Sequence, residues 1–217
     1  AALVEERGEQ DWASEFGRMP RLFKQHEEIP GLTRPSITFS NSYAIDLGGD
    51  RGRLDLQFCG RGHTEGDIVV WHEKTGTLFA GDLVEAQAAL YTGDAFHFDW
   101  ATGTLDKVKA YQAEHLIGGR GAVAHGRAAV DAAVEQTREF LNGMIEHVGA
   151  AHKNGGTLKD AFEATHTALG PKFGHWPIFE HCLPFNVQRL WDEFDGIERP
   201  RIWTMERDRE VWAQLQG

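Results

Sequence analysis

From Ser36 onward, apolar and polar residues alternate with the period of two expected of half-buried strands: Ile37 and Phe39, Ile45 and Leu47, then Leu54, Leu56 and Phe58. Gly48-Gly49-Asp50 separates the last two runs and predicts a turn. Residues 67–71 and 77–84 form two further apolar runs, joined by Glu73-Lys74-Thr75-Gly76, which has the length and the glycine of a hairpin connection. The period then changes. Leu105, Val108 and Tyr111 have helical spacing within residues 100–114, a short strand is expected at 121–124, and a long helix is expected over 128–152. Thr157 and Asp160 resemble a capping box opening a helix to Leu169, and residues 187–194 and 207–215 continue the helical tendency. Residues 1–36 predict only a short helix at 11–16, because Pro20, Pro30 and Pro35 interrupt anything longer.

Strands first and helices afterwards predict an α+β chain. The paired glycines of Asn154-Gly155-Gly156 suggest a boundary between residues 1–153 and a helical C-terminal extension, residues 154–217. Across the 217 residues, 41% are hydrophobic and 25% charged, an ordinary globular mixture, and no apolar run is long enough for a bilayer. Neither a membrane nor nucleic acid is an expected partner, since a net charge of −11 repels phosphate backbones. A small-molecule substrate fits better. Cys59 and Cys182 are too few for a disulfide framework and read as buried thiols. No signal segment is visible, so a cytoplasmic location is expected.

Candidate chemistry sits at strand ends. Gly60-Arg61-Gly62-His63-Thr64-Glu65-Gly66-Asp67 places His63 on a loop between two strands. Asp82 closes the apolar run Leu78-Phe79-Ala80-Gly81, and a hairpin would return it towards His63. His125 follows Ala122-Val123-Ala124 and is expected to emerge from a third strand end. Imidazole and carboxylate together form a zinc ligand set. A carboxylate such as Asp82 could bridge two ions about 3.5–4 Å apart, and the bound water would become the nucleophile. Any single one of the eleven histidines is more often structural than a ligand, but three potential ligands at strand ends reverse those odds. His97, Trp100, His175 and Trp176 lie in aromatic loops and are candidates for a substrate pocket, while His72 and His147 read as surface residues.

Taken in order, Gly62-His63-Thr64-Glu65-Gly66-Asp67, Phe79-Ala80-Gly81-Asp82 and Ala124-His125-Gly126 resemble successive motifs of the metallo-β-lactamase superfamily over about residues 36–140. The resemblance implies the second half of an αββα sandwich and, usually, zinc, with two ions in the complete domain. It implies that His63 completes the first metal's histidine set, that Asp82 bridges, that His125 binds the second metal, and that Asp67 and Thr64 organise the loop around His63. The family's leading His-x-His-x-Asp-His motif is absent, and no His-x-His occurs anywhere in the chain. The expectation is therefore a C-terminal portion whose open face is covered by a missing N-terminal half or by a second copy in a homo-oligomer. The implied activity is hydrolysis of an ester, thioester, lactone or amide, closer to glyoxalase II-like and lactonase-like branches than to enzymes with a cysteine on the second metal. Two other classes stay open: a non-haem iron oxygenase, which also uses two histidines and a carboxylate, and a metal-poor binding or assembly module.

Overall fold

A computed structural model describes residues 2–22, 25 and 28–217. The chain divides into two compact units, Ala1–Phe39 with Arg201–Gly217, and Ser40–Pro200. In the first, α1 (Ala2–Arg18) is far longer than the six residues expected from sequence. An Arg7–Asp11 ion pair, 3.0 Å and one turn apart, supports it from within. Arg18 Nε reaches Asp208 Oδ2 at 2.9 Å on the last helix of the chain, Met205–Gln216.

The second unit carries the strands: β1 (Ser42–Asp46), β2 (Arg53–Phe58), β3 (Ile68–His72), β4 (Thr77–Gly81), β5 (His115–Gly118) and β6 (Ala124–His125). They form one six-stranded sheet in sequence order, antiparallel throughout except where β4 and β5 run parallel. That exception follows from the connection. A crossover of more than thirty residues separates β4 from β5, which is what a parallel pair requires. It contains the one-turn α2 (His97–Asp99), which passes through a wide turn at Trp100–Thr104 into α3 (Leu105–Ala110). Residues 37–39, expected as a strand, lie outside the sheet, and β5 was not foreseen.

Three helices follow: α4 (Arg127–Lys153), α5 (Leu158–Phe173) and α6 (Phe179–Phe194), with Met205–Gln216 as α7. The capping box is formed as expected: Asp160 N donates to Thr157 Oγ1, and Thr157 N donates to Asp160 Oδ2 at 2.7 Å. The sequence pattern placed a helix over 187–194, yet α6 runs back through Pro184 to Phe179. The stripe Phe179, Leu183, Val187 and Leu190 is buried, and that burial outweighs one lost backbone hydrogen bond. α4, α5 and α6 pack on one another, with Phe140 meeting Phe173 and Phe179 at ring separations of 5.4 and 6.4 Å.

The two faces of the sheet differ. Val69, Leu78, Ala80 and Leu116 point to the face on which α4 packs, and they are buried. The register places Tyr43, Ile45, Leu54, Leu56, Phe58, Ile68, Val70, Phe79 and Ile117 on the other face. Of these, Tyr43, Ile45, Ile68 and Phe79 remain 37–41% exposed. On β1 and β2 the apolar alternation thus points away from the helices, and the residues turned to the helix side are Ala44, Asp55 and Gln57 with their neighbours. No helix among the described residues is long and apolar enough to cross a membrane.

Candidate functional site

The loop between β2 and β3 is built to hold His63 still. Thr64 donates from its backbone N–H to Asp67 Oδ2 and from its hydroxyl to Asp67 Oδ1, both at 2.7 Å, and Gly66 N donates to Thr64 Oγ1. Gly62 N closes the turn on Thr64 O, and Phe96 N donates to Gly62 O at 2.8 Å. Glycine is needed at 62: a Cβ there would stand 2.4 Å from Leu83 Cδ2 and 3.3 Å from both Asp67 Oδ2 and Trp100 Cδ1. Burial pushes the Asp67 carboxyl above its ordinary value, against the lowering by the two Thr64 hydrogen bonds and the imidazole of His63. As expected from sequence, Asp67 and Thr64 organise the loop.

Asp82 leaves β4 at the same end of the sheet, and its Oδ2 lies 3.8 Å from His63 Nε2. The rings of Trp100 and Tyr91 stand 6.1 and 6.3 Å from the His63 ring. Two further side chains, absent from the sequence-based site, complete the cluster. The Glu85 side chain is fully buried, with Arg120 Nε 2.8 Å from its Oε1 and Arg120 Nη2 donating to its Oε2 at 3.0 Å. The first of these is an ion pair without hydrogen-bond alignment, which leaves Oε1 without a donor. Burial pushes the Glu85 carboxyl up to about 8, opposed by Arg120 and reinforced by a hydrogen bond with Asp82. Arg120 reaches this place because β5 ends in Gly118-Gly119. A Cβ at 119 would meet Asp82 Oδ1 at 1.9 Å, so only glycine lets the strand end pass so close to the carboxylate.

His125 is not brought to this cluster. It pairs with His115 on β5, and His115 pairs with Thr77, at the start of β4, whereas Asp82 follows its end. Five residues of strand, about 16 Å, separate those levels. The sequence expected the strand containing residues 121–124 to deliver His125 to the site. The strand that ends there is β5, whose place the sequence pattern did not reveal, and it delivers Arg120 instead.

The expected pocket residues also divide. His97 and Trp100 are wholly buried. His97 is held by Glu193 at 2.5 Å and by Thr92 Oγ1 at 2.8 Å, and the Trp100 indole donates to Leu83 O at 3.1 Å. His175 and Trp176 do border an open recess of about 520 Å³, together with Gln87, Gln136, Lys172 and Pro177. Gln87 (φ 62) and Ile178 (φ 63) sit in the left-handed region beside that recess, a strained conformation for a β-branched residue such as isoleucine.

Among the described residues, no group of three or more His, Cys, Asp or Glu side chains is placed to hold a metal ion. His63 and Asp82 supply two donors, one short of the three protein ligands of a catalytic zinc. Glu85, which shares a hydrogen bond with Asp82, is paired with the Arg120 guanidinium, a group with no lone pair to give. Zinc is therefore not held by these residues alone.

No family model and no curated protein matches the chain. Solved structures give partial likenesses. DIM-1 metallo-β-lactamase is 24% identical over 55% of this chain and 53% of that one, with a TM-score of 0.40. A metallo-β-lactamase from Pontibacter korlensis is 20% identical over 54% of each chain, at 0.41. One from Erythrobacter litoralis is 23% identical over 40% of each, at 0.33. The chain spans about half the length of the first two structures it matches, and its own residues have to carry any functional reading.

Proposed function

We propose that this chain contributes part of the active site of a metal-dependent hydrolase acting on an ester, thioester, lactone or amide bond of a small molecule. The observation that carries the reading is the convergence of His63 and Asp82, 3.8 Å apart, at one end of the sheet on a loop that Asp67 and Thr64 lock. Both side chains retain some solvent access, so an external group can reach them. The motif order of the sequence, which resembles the metallo-β-lactamase superfamily, supports the same assignment for these two residues. In this proposal the remaining ligands come from a further polypeptide segment, upstream in the same protein or supplied by a second copy. The half-exposed apolar face of the sheet fits such an arrangement, since a second sheet packed there would bury it.

Metal content by elemental analysis, with hydrolysis of thioester and lactone substrates in parallel, tests this on the 217-residue chain and on the protein extended upstream. Turnover and zinc beyond what the 217-residue chain itself holds are expected only in the extended protein, and both are expected to vanish in His63→Ala and Asp82→Asn. Unchanged turnover in either variant would remove the assignment. A second reading has an observation of its own: Arg120, paired with the Glu85 that hydrogen-bonds Asp82, puts a cation next to the place where a metal site would want a further donor. That arrangement favours a metal-poor binding module, which is the outcome if the upstream extension adds neither metal nor turnover.

A further inference from the structure

His125 leaves the candidate site, but it does not stand alone. We infer that His115 and His125 form a separate two-histidine site for a divalent transition-metal ion, at the opposite end of the sheet from His63 and Asp82. This inference does not depend on the hydrolase reading.

The backbone sets it up. His115 and His125 are direct partners across β5 and β6, and Gly126 N donates to Glu114 O at 2.7 Å just beyond them. That bond, between the residue before His115 and the residue after His125, identifies the pair as a non-hydrogen-bonded one. In such pairs the strands approach most closely and the side chains face each other at the shortest range. Leu116 and Ala124, the next pair, are buried on the helix side, so the two imidazoles project together from the opposite face. Their ring centroids are 5.2 Å apart.

The separation of the nitrogens is informative. Nδ1 of His125 lies 3.1 Å from Nδ1 of His115. Two nitrogens bonded to one ion at about 2.0–2.1 Å stand about 2.9 Å apart at a right angle and about 3.3 Å apart at the tetrahedral angle. The observed spacing falls between those limits, so a zinc, nickel or copper ion could be gripped with little movement of either ring. Imidazole suits these ions, whereas magnesium and calcium favour oxygen. Water would fill the other positions. The nearest acidic side chain in sequence, Glu114, pairs with Arg127 at 3.5 Å, and Arg127 also donates to Gln112 O, which keeps that guanidinium tied to the neighbouring turn. The alternative is a plain hydrogen bond from one imidazole to the other, and the two readings differ in what added metal does.

The decisive experiment titrates the 217-residue chain with zinc and with nickel by calorimetry, in the wild type and in a His63→Ala background that silences the other candidate site. Side-chain NMR of the histidines is followed during the nickel titration. The expected result is one ion per chain in the His63→Ala background, with paramagnetic broadening centred on His115 and His125. Loss of a ligand costs at least what loss of a supporting residue does, so His115→Ala or His125→Ala should each weaken binding about 10- to 100-fold. Binding that survives in a His115→Ala/His125→Ala double variant, or broadening centred on other histidines, would overturn the inference. So would the absence of any ion bound at millimolar metal. The wild-type NMR titration decides the matter even if a variant fails to fold.

Discussion

His63 precedes the long crossover between β4 and β5 and His97 lies within it, and the structure uses the two histidines in opposite ways. His97 is fully buried, and both ring nitrogens are engaged, by Glu193 and by Thr92. Around it, the buried Arg189 donates to the carbonyls of Ala95, Ile197 and Glu198 at 2.7–2.9 Å, and Asn186 bonds both Thr92 N and Leu90 O. This network ties the crossover to α6 and leaves those groups satisfied. The Asp82 carboxylate stands 3.8 Å from the His63 ring, beyond a hydrogen bond, and the buried Glu85 Oε1 close by has no hydrogen-bond donor. A polar cluster that satisfies itself stabilises the fold, and one that leaves donors and acceptors open is available for a ligand.

Substitutions should separate the two regions by their effect on stability. The largest expected effect is at Arg189: Arg189→Ala leaves Glu193 and three carbonyls without their buried partner and should cost about 3–5 kcal/mol, read as a lowered denaturant midpoint. His97→Ala should cost less, about 1–3 kcal/mol, because it removes the ring's contacts to Glu193 and Thr92 while Arg189 stays beside Glu193. A loss under about 0.5 kcal/mol for either would mean that the buried network is not what holds the crossover.

Glu85 sharpens the comparison through pH. Its folded-state value is raised from 4.5 to about 8, so the folded protein holds the proton more tightly than the unfolded chain does. Stability should therefore be greatest below about 4.5, as far as this group is concerned, and fall as pH rises to about 8. In Glu85→Gln that decline should disappear from a series of urea midpoints between pH 5 and 8. A decline of equal size in the variant would locate the titration elsewhere. The smallest stability effect is expected at His63: His63→Ala should move the folding free energy by no more than about 0.5 kcal/mol, since the loop is held by Thr64 and Asp67. A large loss of stability there would place His63 with His97 as a structural residue.

The faces of the sheet show how far periodicity reaches. Alternation in residues 54–58 and the hairpin signal at Glu73-Lys74-Thr75-Gly76 were sufficient to place β2, β3 and β4, because each is a local property of a short segment. Alternation does not say which face meets the helices. Leu54, Leu56 and Phe58 have the pattern of core residues and occupy the face the helices leave open, while Leu78 and Leu116 occupy the covered one. Likewise β5, only four residues long, has no turn signal of its own and exists because the parallel register with β4 stabilises it.

The sequence by itself determined strands β2 to β4, the long helix α4, the capping box at Thr157 and the glycine-bounded loop that presents His63, since these depend on residues a few positions apart. It also brought Asp82 to the site, because one hairpin joins the two. Only the tertiary structure decided that Arg120 rather than His125 arrives beside Asp82, and that His125 meets His115. Those positions depend on the register of β5 between its two neighbours. Register is fixed by which side chains fill the space beneath the helices, a condition that no local stretch of sequence contains.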